Sequence, residues 1–260
     1  MRLKDQPAIV TGGGRGIGRA IAERFAAEGA AVMLASRTEA ELKATVEAIQ
    51  QAGGRAAYLP GDVSRVRFVE RLVFETVKQW GEIDILVNNA GIYGPVRELH
   101  TITPAEWDQV LAINLRSAYL MTRAVLPGML ARRRGAVLNI ASISGKHAYA
   151  WSGPYAASKA AMIALTRALA AETARSGVRV NALCPGPVRG TAMWHEVGAE
   201  LSRKLGLTLE QLGEQTRAEI LQGRPQEPAE VAAAALFLCS DEASAITGQA
   251  VNVDGGMVFY

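Results

Sequence analysis

Pro7-Ala8-Ile9-Val10-Thr11-Gly12-Gly13-Gly14-Arg15-Gly16-Ile17-Gly18-Arg19-Ala20-Ile21-Ala22 runs from an apolar strand through a string of glycines into the start of a helix. Such a turn brings backbone N–H groups and the positive end of a helix dipole to one point, where a pyrophosphate can be held. Glycine strings also occur in ordinary turns, so composition alone says little. Placement after a buried strand and before a helix is the informative part. It marks Gly12, Gly14, Arg15, Gly16, Ile17 and Gly18 as a dinucleotide-binding loop.

The next strand bears on which dinucleotide. A 2′-hydroxyl is normally held by an acidic residue at that strand's end, and a 2′-phosphate by an arginine. Here the strand closes on Ala35-Ser36-Arg37, with no carboxylate before Glu39. Arg37, with Arg15 from the glycine loop, favours NADP(H) over NAD(H).

Outward from this unit the same rhythm repeats. Strands are expected at Ala8–Val10, Ala31–Ala35, Ala56–Leu59, Ile83–Asn88, Ala136–Ala141, Val178–Leu183 and Ala250–Val253, with helices near 16–28, 39–52, 64–80, 104–131, 154–175 and 228–239. This alternation argues for a Rossmann-type doubly wound α/β domain, a seven-stranded parallel sheet with helices on both faces. Thr103-Pro104-Ala105-Glu106 has the form of a capping box, Glu227-Pro228 opens the last helix similarly, and Thr208-Leu209-Glu210-Gln211 can cap a further one. No linker or repeat breaks the pattern, so 1–260 reads as a single domain. The departure is 190–223, neither strand nor one clean helix, where a lid over a site would sit.

The 260 residues carry 28 Lys and Arg against 25 Asp and Glu, a net charge of +3. The basic residues are interleaved with acidic ones and form no stripe for nucleic acid. Arg132-Arg133-Arg134 reads as a solvated helix end. No apolar run reaches the length of a membrane span. Cys184 and Cys239 sit in apolar contexts, and neither they nor His100, His147 and His195 have metal-ligand spacing. A cytoplasmic protein without a metal is expected.

Tyr155-Ala156-Ala157-Ser158-Lys159 places a phenol and an ammonium four residues apart on one helix face. A phenol titrates near pH ~10, and the ammonium is expected to lower that value and make the pair a general acid or base. The spacing alone is weak, since Tyr93 with Arg97 and Tyr119 with Arg123 repeat it.

Together with Asp62-Val63, Asn88-Asn89-Ala90-Gly91, Asn114, Ser142, Pro185-Gly186 and Ile246-Thr247-Gly248-Gln249, these motifs make the chain resemble the short-chain dehydrogenase/reductase family from Pro7 to Met257. The resemblance implies hydride transfer between a nicotinamide and a carbonyl or secondary alcohol carbon. It implies a catalytic set of Asn114, Ser142, Tyr155 and Lys159. Tyr155 would exchange the proton, and Ser142, with Ser144 as the nearby alternative, would hold the substrate oxygen. Lys159 would bind the nicotinamide ribose and tune the phenol, and Asn114 would join a water-linked relay to Lys159. Asp62 and Val63 would contact the adenine, while Asn89, Ala90 and Gly91 would flank the adenosine ribose. Pro185, Gly186 and the Val188 backbone would meet the nicotinamide. The family's usual threonine is displaced: Gly190 stands in its place and Thr191 follows, which leaves the carboxamide contact of Thr191 open.

Tyr93, His147, Trp151, Pro187, Met193 and Trp194 are candidate substrate contacts, a mixture of aromatic and basic groups that suits a medium-sized keto compound. A 3-oxoacyl carrier-protein reductase is one specific reading: Arg133 stands where that subgroup keeps a docking arginine, and Arg175 lies one place off its second. Against it, 190–223 is longer than in that subgroup. A non-catalytic NADP(H)-binding sensor is the reading from another class, and the complete catalytic set speaks for an enzyme instead. The resemblance also implies a homotetramer, with helices 104–131 and 154–175 packing on their symmetry mates. Ala156, Ala160, Ala164, Ala168 and Ala171 give the second helix a small-residue side that permits this, unless they pack on the chain's own sheet. Leu201, Leu205, Leu209 and Leu212 recur at helical spacing, either to close over substrate or as permanent core or dimer contacts.

Overall fold

Period-two burial makes the strands. The computed structural model describes residues 1–260 and contains β1 (Pro7–Thr11), β2 (Ala31–Ser36), β3 (Arg55–Pro60), β4 (Ile85–Asn88), β5 (Gly135–Ile140), β6 (Val178–Pro185) and β7 (Ala250–Val253). Ala8, Val10, Val32, Leu34, Ile85 and Val87 bury into one core, while Ile9, Met33, Ala35 and Leu86 bury into the other. A sheet apolar on both faces must be covered on both. Helices α1 (Gly16–Ala27), α2 (Glu39–Gln51) and α9 (Pro228–Cys239) cover the first face through Ile21, Phe25, Leu42, Ile49 and Leu236. Helices α3 (Val66–Trp80), α5 (Ser117–Arg132) and α6 (Gly153–Thr173) cover the second through Leu72, Met121, Val125, Met129 and Ala170.

All pairings are parallel, in the order β3-β2-β1-β4-β5-β6-β7. The order reverses between β1 and β4, and a crevice opens there at the carboxyl ends of the strands. Two buried amides tie the second helical layer into the sheet. Asn88 Nδ2 donates to Asn139 Oδ1 at 2.9 Å and Thr122 Oγ1 at 3.2 Å, and Asn139 Nδ2 donates to Thr166 Oγ1 at 2.8 Å.

The three caps expected from the sequence form: Thr103 and Thr208 sit in reciprocal boxes, and at Glu227 the Glu230 carboxylate accepts from Glu227 N at 2.8 Å. Two elements depart from expectation. The helix read at 104–131 is α4 (Pro104–Leu111) and α5 joined by a π-helical turn, Ala112–Arg116. Segment 190–223 holds two helices, α7 (Ala192–Leu205) and α8 (Leu209–Glu219), and neither has a buried residue. Leu205 and Leu209 are exposed and Leu201 and Leu212 half-buried, so these leucines are not core of the protomer. No helix is long and apolar enough to cross a membrane.

Candidate active site

The glycine loop is shaped by close approach. A Cβ at Gly18 would lie 2.2 Å from Gly12 O, and one at Gly12 (φ +65°) would lie 2.8 Å from Asn89 Nδ2. That amide donates to Thr11 O and Gly12 O at 2.9 and 3.1 Å, while Thr11 Oγ1 accepts from Asn89 N and Ala90 N, both at 3.0 Å. Asn89 and Ala90 thus lock the loop to the end of β4. Arg15 stands at the N-cap of α1 and caps nothing with its side chain, leaving first-turn N–H groups to an outside acceptor. At the end of β2, Ser36 Oγ is buried without a partner, and Arg37 is exposed and makes no ion pair. Arg15 instead reaches Glu41 at 3.5 Å. Burial raises the Asp62 carboxyl, but hydrogen bonds from Ser64, then Arg65 and Arg37, outweigh it and leave the group low. These groups fit an anionic dinucleotide: uncapped amides for its pyrophosphate, and a free guanidinium beside an unpaired hydroxyl at the second strand.

Further along the crevice, α6 delivers Tyr155 in its first turn and Lys159 one turn later, both buried. Lys159 Nζ donates to Ile140 O, the last residue of β5, at 2.7 Å and lies 5.6 Å from the Tyr155 ring centroid. Ser142 follows the same strand, its Oγ accepting from Ser144 N at 3.1 Å. Ser144 therefore contributes a backbone amide to Ser142. Burial pushes the Tyr155 phenol up to about 12, against the pull of the Ser142 hydroxyl. Burial also draws the Lys159 ammonium down to about 8. The lowered phenol expected from the spacing is thus overturned. The ammonium stands over the ring, bonded to a carbonyl, and both groups have lost their water.

Asn114 explains the π turn. Its Nδ2 donates to Ile92 O and Ser158 Oγ, both at 2.9 Å, and its Oδ1 accepts from Ile92 N at 2.8 Å. Single π turns in α-helices often mark functional positions. A Cβ at Gly91 would stand 3.3 Å from Asn114 Oδ1 and 3.6 Å from Lys159 Nζ, so this glycine keeps open the space both groups face. Neither control pair has these features: Tyr119 is half exposed, and Arg97 is ion-paired to Glu106.

The profile of a family described as enoyl-(acyl carrier protein) reductase matches residues 12–258. A protein of Streptomyces virginiae, named as a putative ketoacyl reductase of the monensin polyketide synthase, is 41% identical over 252 residues, 96% of either chain. The chain belongs to the short-chain dehydrogenase/reductase family. It is also 36% identical over 259 residues, 98% of either chain, to 2-(S)-hydroxypropyl-CoM dehydrogenase 3 of Xanthobacter autotrophicus. Among solved structures, a point variant of actinorhodin polyketide ketoreductase with NADPH superposes with a TM-score of 0.94 at 37% identity, 98% of each chain covered. As a short-chain dehydrogenase/reductase, the protein is an oxidoreductase acting on a C=O or CH–OH carbon.

Of the residues expected at the substrate of this dehydrogenase/reductase, Tyr93 stacks on Tyr155 with ring centroids 4.5 Å apart and planes at 24°. Trp151, with a left-handed φ of +62°, lies under Lys204 of α7, Nζ to ring centroid 5.0 Å. Pro187 opens the neck of 190–223, and its carbonyl accepts from Gln226 N at 2.9 Å. Met193 and Trp194 occupy the half-buried first turn of α7. The Thr191 hydroxyl caps α7, accepting from Trp194 N at 3.1 Å and donating to Val188 O at 3.0 Å, while its methyl faces Gly16. Gly186 is packed under Asp254 and Gln226, where a Cβ would find both at 2.9 Å. His147 is not brought to the phenol: it is exposed, and its Nδ1 bonds the Tyr260 hydroxyl at 3.1 Å. The C-terminal residues Met257–Tyr260 line a cavity with His147 and Tyr149, which no periodicity in the sequence foretold. The only cue to that approach is Asp254-Gly255-Gly256, a turn that follows β7.

Proposed function

We propose that the protein is an NADPH-dependent ketoreductase in which Tyr155 is the proton donor. The observation that carries this is the buried Tyr155–Lys159 pair beside Ser142, at the crevice where Gly91 and Asn114 converge. A bound nicotinamide would supply the hydride. The Ser142 and Tyr155 hydroxyls hold the carbonyl oxygen, and the phenol, held up to about 12, releases its proton only to the strongly basic alkoxide that develops there. The Lys159 ammonium stabilises the phenolate left behind, and the open space between Asn114 and Lys159 suits the water that would return the proton. Arg37 and Ser36 would hold the 2′-phosphate, and the NADPH complex of the related ketoreductase supports the same choice. Thr191 and the Val188 backbone, beside Gly16, would meet the nicotinamide end.

Segment 190–223 serves as a lid in this reading. Apart from local bonds at its two ends, the stretch from Ala192 to Glu219 has one hydrogen bond or ion pair with the rest of the chain, Lys204 Nζ to Glu98 Oε1 at 2.7 Å. The protein works as a homotetramer in the cytoplasm, where the free, buried Cys184 and Cys239 stay reduced. A carrier-bound ketoacyl substrate is the second reading, favoured by Arg133 at the docking position, which bonds the carbonyl of Arg175, one place off the second, at 2.7 Å. They stand at the opposite end of β5 from Ser142, roughly 20 Å away.

Initial rates with NADPH and NADH on a panel of free ketones and a carrier-linked 3-ketothioester test these readings together. NADPH is expected to be preferred, and Arg37→Asp is expected to reverse the preference, by about tenfold or more, by repelling the phosphate. A preference for NADH in the unmodified protein overturns the cofactor assignment. Turnover confined to the carrier-linked substrate replaces the first reading with the second.

A further inference from the structure

Between the loop that joins Ser142 to Tyr155 and the C-terminal tail lies a cavity of about 400 Å3, lined by His147, Tyr149, Glu219, Met257, Val258, Phe259 and Tyr260. That volume is in the range of small-molecule sites. Its walls come from three segments already tied to catalysis or to the lid. The loop carrying His147 and Tyr149 begins after Ser142 and ends before Tyr155, and Lys146 Nζ pins it to Ala250 O at 2.7 Å. Glu219 is the last residue of α8.

The C-terminal wall is held in place. The buried Asp254 carboxylate accepts from Gly256 N at 3.0 Å and Val258 N at 2.8 Å, and Asn252 Nδ2 donates to Val258 O at 2.6 Å. Gln222 N donates to Gly255 O at 3.0 Å, which fastens the exit of the lid to the same turn. The His147–Tyr260 bond bridges loop and tail. The loop wall leads toward the reaction centre along the chain. Ser152, three residues before Tyr155, donates its hydroxyl to Tyr149 O at 2.6 Å, Tyr149 meets His147 edge-on with ring centroids 5.1 Å apart, and Tyr93 stacks on Tyr155.

We propose that this cavity holds the end of the substrate remote from its carbonyl, and that it takes a neutral, hydroxylated aromatic ring. The proposal rests on the ketoreductase reading above. Four rings and a thioether offer flat, polarizable walls for offset stacking. Phe259 and Tyr260 are 81% and 69% exposed, and a bound ring would cover them. Glu219 accepts a ring hydroxyl and repels a ring carboxylate, which makes the site selective for a phenol over a benzoate.

The test uses the full-length protein with NADPH and three ketones: a hydroxyphenyl ketone, its carboxyphenyl counterpart and a small aliphatic ketone too short to reach the cavity. Two variants are compared, a chain ending at Val258 and Glu219→Gln. The shortened chain is expected to raise KM for the hydroxyphenyl ketone about tenfold or more, with the aliphatic ketone's kcat/KM and the Kd for NADPH within about twofold. Glu219→Gln is expected to raise kcat/KM for the carboxyphenyl ketone about tenfold relative to the hydroxyphenyl one. Equal changes for all ketones, no change, or turnover of the aliphatic ketone alone overturns the cavity assignment. A shortened chain that alters the assembly mass with KM unchanged gives the cavity to a second copy instead. No turnover of any ketone or alcohol overturns the ketoreductase reading itself, and the cavity with it.

Discussion

Burial acts in opposite directions on the charge states of Tyr155 and Lys159, and this fixes what each can do near neutrality. The phenol, raised to about 12, stays protonated and is ready as a donor, whereas the ammonium, lowered to about 8, is close to losing its charge. Lys159 is charged below that value and neutral above it, so support for the departing phenolate fades as pH rises. For ketone reduction, kcat/KM is expected to be level at acid to neutral pH and to fall as pH passes about 8. Alcohol oxidation needs the phenolate beside a charged Lys159, so it should climb with pH up to about 8 and level above it. Tyr155→Phe should retain NADPH binding and lose kcat by about 10²–10⁴-fold, the scale of general acid–base catalysis. A Tyr155→Phe protein reducing ketones at the unmodified rate would remove the tyrosine from the mechanism. The residue types of this site were legible from spacing and resemblance. The inversion of the Tyr155 shift was not, because i,i+4 geometry brings two groups together but says nothing of how much water they lose.

Strands and caps were legible because they are written locally, in alternation and in Thr-x-x-Glu or Thr-x-x-Gln boxes. The π turn at Ala112–Arg116 was not, since its cause is a set of hydrogen bonds from Asn114 to Ile92, distant in sequence. Segment 190–223 was legible as an insertion, but the way it is held is again a long-range fact. Lys204, in the last turn of α7, reaches Glu98 after β4 and Trp151 before α6, and so spans the mouth of the crevice. Trp151 carries the left-handed backbone of a strained position there. Helices with no buried residue and one polar tether should open readily, and closure should exclude water from the reacting atoms. Lys204→Ala is expected to speed hydrogen exchange across 192–219 and raise substrate KM several-fold, with the exchange of β6 and α9 unchanged. Exchange that is slow and identical in both proteins, with or without NADPH and substrate, would make the segment a fixed wall.

At the scale of the whole molecule, the protomer leaves two separate surfaces that look unfinished. Of the alanines in α6, Ala160, Ala164, Ala168 and Ala171 are exposed, whereas Ala156 is buried. The small-residue side therefore faces outward and does not pack on the chain's own sheet. Beside it, α4, the π turn and α5 form a groove of about 500 Å3 between Asp108, Leu111, Ala112, Leu115, Arg116 and the half-exposed Tyr119. The second surface is the open edge of the sheet at β7, where Val251 is 37% exposed and Phe237 of α9 is 38% exposed. An unpaired edge strand invites a partner. Two distinct self-complementary faces on one protomer generate a closed tetramer with three mutually perpendicular two-fold axes. Light scattering of the unmodified protein should then give four times the mass of the chain. Ala164→Glu, which puts a carboxylate where two α6 helices would meet, should leave dimers held by the β7 edge. Phe237→Asp should leave dimers held by the helices, and the double variant should be a folded monomer by circular dichroism. A monomer from the unmodified protein at micromolar concentration would sink the assembly. A tetramer that survives both substitutions would move its interfaces elsewhere on the surface.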